Sequence, residues 1–182
     1  MEGMNPETFD VQKLKLFGMW PPANLIAADI MPYIRRMKVD NVTIGIFGDT
    51  RGENVVAFAE NNESKKINKI YWTDYPGTEI CKSNLKSAEE NVPNIITDNR
   101  DILEKALHIC VIDSSFFDRV DIDTILPRMY ESVKDGGMFV GGGHDNESIK
   151  AKVKLFRQQL KITAPISVVN RHIWFWNKPK TK

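Results

Sequence analysis

Residues 41–60, NVTIGIFGDTRGENVVAFAE, hold an apolar run that breaks into glycines and passes at once into a helix-like stretch. Gly45, Gly48 and Gly52 mark the turning point. Strand, glycine-rich turn and helix start, in that order, set unpaired backbone N–H groups and a helix N-terminus beside a polar ligand. Twenty-two positions beyond Gly52 a second apolar run, IYWTD, ends in Asp74. An acidic residue closing the second strand is where nucleoside-binding α/β folds hold ribose hydroxyls. Together the two features predict an α/β chain that binds a nucleoside-bearing cofactor.

The rest of the chain keeps the same rhythm. Strand-like runs fall at 42–47, 70–73, 95–97, 107–112 and 138–140, and helix-compatible stretches at 24–37, 54–60, 79–91, 102–106 and 122–133. Pro21 and Pro22 suit the approach to the first helix, whereas Pro32 is expected to kink or split it. Such alternation predicts a mostly parallel sheet with helices on both faces. The pattern then changes. A helix is expected over 147–160, with Ile149, Val153 and Phe156 on one face, followed by β-like runs at 162–169 and 172–176. Asn170 and Arg171 between them read as a hairpin turn. The expectation is a doubly wound, Rossmann-like sheet of seven strands, closed by an antiparallel C-terminal hairpin.

At 182 residues the chain suits one domain spanning 1–182, with 1–20 a loosely held N-terminal segment. A hydrophobic share of 42% and a charged share of 27% lie near the globular average, which argues against disorder and membrane residence. A formal net charge of +1 favours neither a nucleic acid partner nor a cationic one. Cys81 and Cys110 fit a reducing compartment, with Cys110 in the run LHICVID reading as a small core residue. No leader of signal-peptide type and no apolar run of about 20 residues is seen, so the cytoplasm is the expected location.

The segment VIDSSFFDRVDIDTILPRMYESVKDGGMFVGGGHDN, after the glycine turn and Asp74, resembles the class I S-adenosylmethionine-dependent methyltransferases. Among them it is most similar to small-molecule O-methyltransferases, whose fifth strand runs into GHD or DN. The resemblance covers residues 23–177. It implies a fourth strand ending at Asp113, a helix, a Lys-Pro-Gly-Gly-like turn at Lys134-Asp135-Gly136-Gly137, a fifth strand and then His144-Asp145-Asn146. By the same resemblance Gly45, Phe47, Gly48 and Gly52 form the loop under the methionine part of S-adenosyl-L-methionine. Asp74 accepts from the ribose, and Tyr75 lies along the adenosine. Asp98 or Asn99 holds the adenine amino group, and Asp113 and Ser114 line the methyl-transfer face. Three departures stand out, one of them Ser115 and Phe116 where the family often carries an aromatic or histidine just after the fourth-strand aspartate. The family carries Glu or Asp at the position of Thr43, and the turn from Gly45 to Gly52 is longer than the common Gly-x-x-x-Gly spacing.

Cation-dependent members hold a metal with an aspartate after the fourth strand and an Asp-Asn pair after the fifth, matched here by Asp113, Asp145 and Asn146. Hard oxygen ligands suit Mg²⁺ or Mn²⁺, which would bind a substrate hydroxyl and lower its pKa. Asp145 or Asn146 equally suits a cap on the following helix. His144 reads either as a general base or as an ordinary loop histidine, and His108, inside an apolar strand, as structural. The leading expectation is methyl transfer to a small-molecule hydroxyl, in an enzyme with no nucleic acid or membrane partner that could form a homodimer. The competing one is a methyltransferase-like binding or assembly protein with its chemistry lost. A nicotinamide-linked oxidoreductase would need Gly-x-Gly-x-x-Gly after the first strand, which this chain lacks.

Overall fold

β-Branched and aromatic residues build seven strands in the computed structural model, which describes residues 26–48, 53–73, 82–97, 106–113, 122–142, 147–169 and 173–180. The strands are β1 (Val42–Phe47), β2 (Ile67–Thr73), β3 (Asn94–Ile96), β4 (Leu107–Asp113), β5 (Val133–Gly142), β6 (Ser167–Val169) and β7 (Ile173–Asn177). Between them run helices α1 (Ile26–Arg36), α2 (Glu53–Glu60), α3 (Lys82–Glu89), α4 (Ile122–Glu131) and α5 (Glu147–Gln159). All strands join one sheet in the order β3-β2-β1-β4-β5-β7-β6. The pairs from β3 through β5 are parallel, while β7 is antiparallel to both β5 and β6. The doubly wound architecture and its closing antiparallel hairpin are therefore as expected.

Both faces of the sheet are covered, which is why its strands read as continuous apolar runs rather than alternating ones. Ile44, Ile46, Ile109 and Val111 point into one core with α1, α2 and α3. Cys110, Ile112 and Phe139 point into the other, with Leu126, Met129 and Tyr130 of α4 and Val153 and Phe156 of α5. Cys110 is wholly buried, as its apolar setting foretold, and burial pushes its thiol pKa up.

Helix α1 passes through Pro32 without a break. Proline costs about 3 kcal/mol inside a helix. Against that, Ile26, Ile30 and Ile34 recur on one face and are fully buried, each worth about 1.5–3 kcal/mol. Pro32 itself is exposed on the opposite side, so burial prevails and the helix is not split there.

The two strands that depart furthest from the sequence reading are β5 and β6. The segment Lys134-Asp135-Gly136-Gly137, read as a turn, lies inside β5. The register against β4 jumps there, with Leu107 opposite Val133 and Ile109 opposite Met138, so the extra residues form a bulge. Gly136 has φ +79°, the left-handed value a side chain resists. Its N–H donates to Lys178 O, and the Lys178 N–H donates to Gly137 O, each at 2.7 Å. The strand expected over 162–169 shortens to Ser167–Val169, and its first residue, Ile162, closes the end of α5 instead. Lys161 has φ +53° and Ile162 N–H donates to Arg157 O at 2.9 Å. Of the helix expected at 102–106, only Ala106 is described, and it is not helical.

Candidate functional site

In an open parallel sheet, ligands bind where neighbouring strands send their connections to opposite sides. Here that point lies between the carboxyl ends of β1 and β4, since β1 leads through α2 to β2 on one side while β4 leads to β5 on the other. Phe47 ends β1 and pairs with Thr73 of β2 and Ile112 of β4. One residue further, Asp113 ends β4 opposite Gly142, the last residue of β5. Four strand ends thus stand in a row.

Gly48 follows Phe47, is buried, and has φ +89°. A left-handed backbone at a strand end turns the chain sharply, and without a Cβ it lets a ligand approach the main chain. Gly45 has another role. It lies in the middle of β1, opposite Tyr71 and Cys110, where an added Cβ would meet Leu107 Cδ1 at 2.5 Å. Its missing side chain makes room for Leu107 in the core, three residues short of the turn. The turn therefore begins at Gly48, and Gly48 to Gly52 has the common Gly-x-x-x-Gly spacing that a count from Gly45 missed. Counted from Gly48, the position that the resemblance pairs with the family's Glu or Asp becomes Ile46 rather than Thr43, and Ile46 is fully buried in the core.

Thr43 sits at the other edge of the sheet, near the start of β1. Its N–H donates to His108 Nδ1 at 2.9 Å. The imidazole pKa is lowered, first by burial and then by the positive charge of Lys134. His108 is accordingly a neutral acceptor in the β1–β4 pairing, as its apolar context implied.

One polar residue near the turn escaped sequence analysis. Asn54, in the first turn of α2, is 2% exposed, and its Oδ1 accepts from Ile26 N–H at 3.0 Å. It caps α1 and so fixes the helix that follows the glycine turn. An asparagine two residues after a glycine cluster, at the start of a helix-like stretch, is the signal that could have found it.

Gly45, Phe47, Gly48 and Asp113 are thus placed by the fold, Asp113 through its backbone. Gly52, Asp74, Tyr75, Asp98, Asn99, Ser114, His144, Asp145 and Asn146 lie outside the described residues. In the chain, Asp74 directly follows Thr73 of β2 and Asn146 directly precedes α5. Among the described residues no three His, Cys, Asp or Glu side chains gather as a metal site. No helix among them is long and apolar enough to cross a membrane.

No protein-family model and no curated protein matches the sequence. Solved structures do match. A proposed S-adenosyl-L-methionine-dependent methyltransferase from Methanococcus maripaludis aligns with a TM-score of 0.58 at 18% identity, over 100% of this chain and 99% of its own. A precorrin-6y C5,15-methyltransferase from Geobacter metallireducens aligns at 0.61 and 13% identity, over 86% and 88%. A tRNA (m1A58) methyltransferase from Aquifex aeolicus aligns at 0.57 and 13%, over 95% and 77%. The chain has the fold of the class I S-adenosylmethionine-dependent methyltransferases.

Proposed function

We propose that this chain is an S-adenosylmethionine-dependent methyltransferase that methylates a small-molecule hydroxyl, with the cofactor held between the ends of β1 and β4. The observation that carries the reading is Gly48, a left-handed, side-chain-free residue at the junction where connections diverge. This fits a ligand whose amino acid end must approach the backbone. When bound, the cofactor supplies a methyl group already activated on a sulfonium, so the work left to the protein is alignment.

In this reading Asp74 accepts from the ribose hydroxyls, Tyr75 lies along the adenosine, and Asp98 or Asn99 holds the adenine amino group. Asp113 and Ser114 line the face where acceptor and methyl group meet. Asp113, Asp145 and Asn146 supply hard oxygen donors for Mg²⁺ or Mn²⁺, the chemistry that lowers a hydroxyl's pKa and orients its oxygen. His144 stands next to them in the chain and serves as the general base for the hydroxyl proton. The names of the similar structures span a corrinoid precursor and a tRNA, so the acceptor class rests on the sequence resemblance and on the near-neutral net charge.

Ile46 favours a second reading, a binding or assembly protein that keeps the fold. With an apolar core residue where the family places a carboxylate, the cofactor's amino acid end has one anchor fewer. Calorimetry with S-adenosylhomocysteine separates the two. Saturable one-to-one binding that Gly48→Val abolishes supports the enzyme reading, and absence of heat at high protein concentration supports the other.

A further inference from the structure

Charge along the chain is far from even. Residues 148–182 contain nine lysines and arginines and no aspartate or glutamate, whereas residues 1–147 carry 16 basic and 24 acidic residues. Three of the nine, Lys150, Lys154 and Arg157, border one groove of about 490 Å³ on the flank of the sheet, beside α5. Val168 and Trp174 pair across β6 and β7, so their side chains share the groove's face. Together with Ile166 and Val153 they give it an apolar floor. Val168 is 64% exposed and Ile166 45%, unusual for large aliphatic residues grouped together.

Lys150, Lys154 and Arg157 form its wall, at positions i, i+4 and i+7 of α5, on one stripe of the helix. Arg157 is held in place from two sides. Its Nη2 donates to Ala164 O, and its guanidinium lies over the Trp176 ring, 4.5 Å from the centroid. Its Nη1 is buried with no acceptor among the described residues.

We propose that this groove binds a single-chain anionic amphiphile, its hydrocarbon chain on the floor and its carboxylate or like headgroup against the α5 cations. The volume is that of a small-molecule site. A second copy of the chain would bring one basic stripe against another. The apolar lining mixes recessed residues, Val153 and Trp174, with exposed ones, Ile166 and Val168, a relief that a single flexible chain follows better than a flat bilayer surface. The site lies on the sheet's flank and does not depend on the methyltransferase reading.

The test is calorimetric titration of the full chain with laurate below its micellar range, with dodecylammonium as the control. One-to-one binding of laurate is expected, with at least tenfold weaker binding of dodecylammonium. Across the C8 to C12 carboxylates, each added methylene should strengthen binding roughly three- to fourfold. Lys154→Glu and Val168→Asp change exposed positions and should each weaken laurate at least fivefold while leaving the near-ultraviolet circular dichroism unchanged. Equal binding of the two amphiphiles, unaltered affinity in Val168→Asp, or absence of binding overturns the proposal. So does a dimer that Val168→Asp dissociates while laurate fails to bind, or attachment to anionic phospholipid vesicles without uptake of single chains.

Discussion

The indole of Trp174 occupies the space that a side chain on Gly141, its partner across the β5–β7 ladder, would need. A Cβ on Gly141 would fall within the ring, 2.5 Å from Cε2. Trp174 is also stacked on Trp176, with ring centroids 5.5 Å apart, so it cannot swing aside without disturbing its neighbour. Gly141→Ala is therefore expected to destabilise the fold by about 1–3 kcal/mol through overpacking. A double-mutant cycle with Trp174→Ala checks the cause. Urea unfolding should show a coupling above about 0.5 kcal/mol, and additive effects would disprove the contact.

His108 gives the fold a pH dependence with a defined sign. Its folded pKa lies below the ordinary imidazole value of 6.5, because of burial and Lys134. The unfolded chain thus takes up a proton more readily. This contribution to stability is complete above the ordinary value and is lost as pH falls through the folded one. Urea midpoints at pH 7.5 and pH 5 should differ more for the parent chain than for His108→Gln. Equal differences would remove His108 as the source.

Asn62 ties two connections together and is 3% exposed. Its Nδ2 donates to Ile67 O at 2.8 Å and to Asn91 O at 3.2 Å, and its Oδ1 accepts from Ile67 N–H at 2.9 Å. Asn62→Ala leaves buried backbone groups unpaired and should cost about 2–3 kcal/mol in chemical denaturation. Asn62→Asp should do no better, since it sets an oxygen against two carbonyls. A neutral result for Asn62→Asp would show that the amide donor is dispensable.

If Asp74 accepts from ribose, Asp74→Ala should weaken S-adenosylhomocysteine by about 1.5–3 kcal/mol, the scale of hydrogen bonds to a charged group. Unchanged affinity in calorimetry would exclude that role.

Metal dependence has its own measurement. Chelation should abolish turnover, and Mg²⁺ or Mn²⁺ should restore it in the parent chain but not in Asp145→Ala. Activity indifferent to chelator would leave Asp145 and Asn146 as caps of α5.

What could be read from sequence followed from how local each signal was. The strand at 42–47 was legible to the residue because Val, Ile and Phe fill four of its six positions and glycine follows it. β5 was not, because Gly136 and Gly137 look like a turn in isolation. Only pairing with Lys178, some forty residues away, makes them part of a ladder. The same non-locality hid the division of labour among glycines. That Gly45 accommodates Leu107 while Gly48 turns the chain depends on a strand sixty residues downstream. Pro32 misled for a different reason, since the burial that outweighs it belongs to the packed state. The groove beside α5 was invisible because Val168 and Trp174 meet only once the hairpin forms.

β7 is the last of the described strands in chain order, yet it lies inside the sheet, between β5 and β6. Ile173 and Phe175 complete one hydrophobic layer and Trp176 the other. On the ribosome, neither layer can close until this strand has left the exit tunnel. Nascent chains must therefore wait, with much of their interior bare and open to chaperones. A premature stop codon ahead of Ile173 would leave a product with two unfinished interiors rather than a smaller working protein.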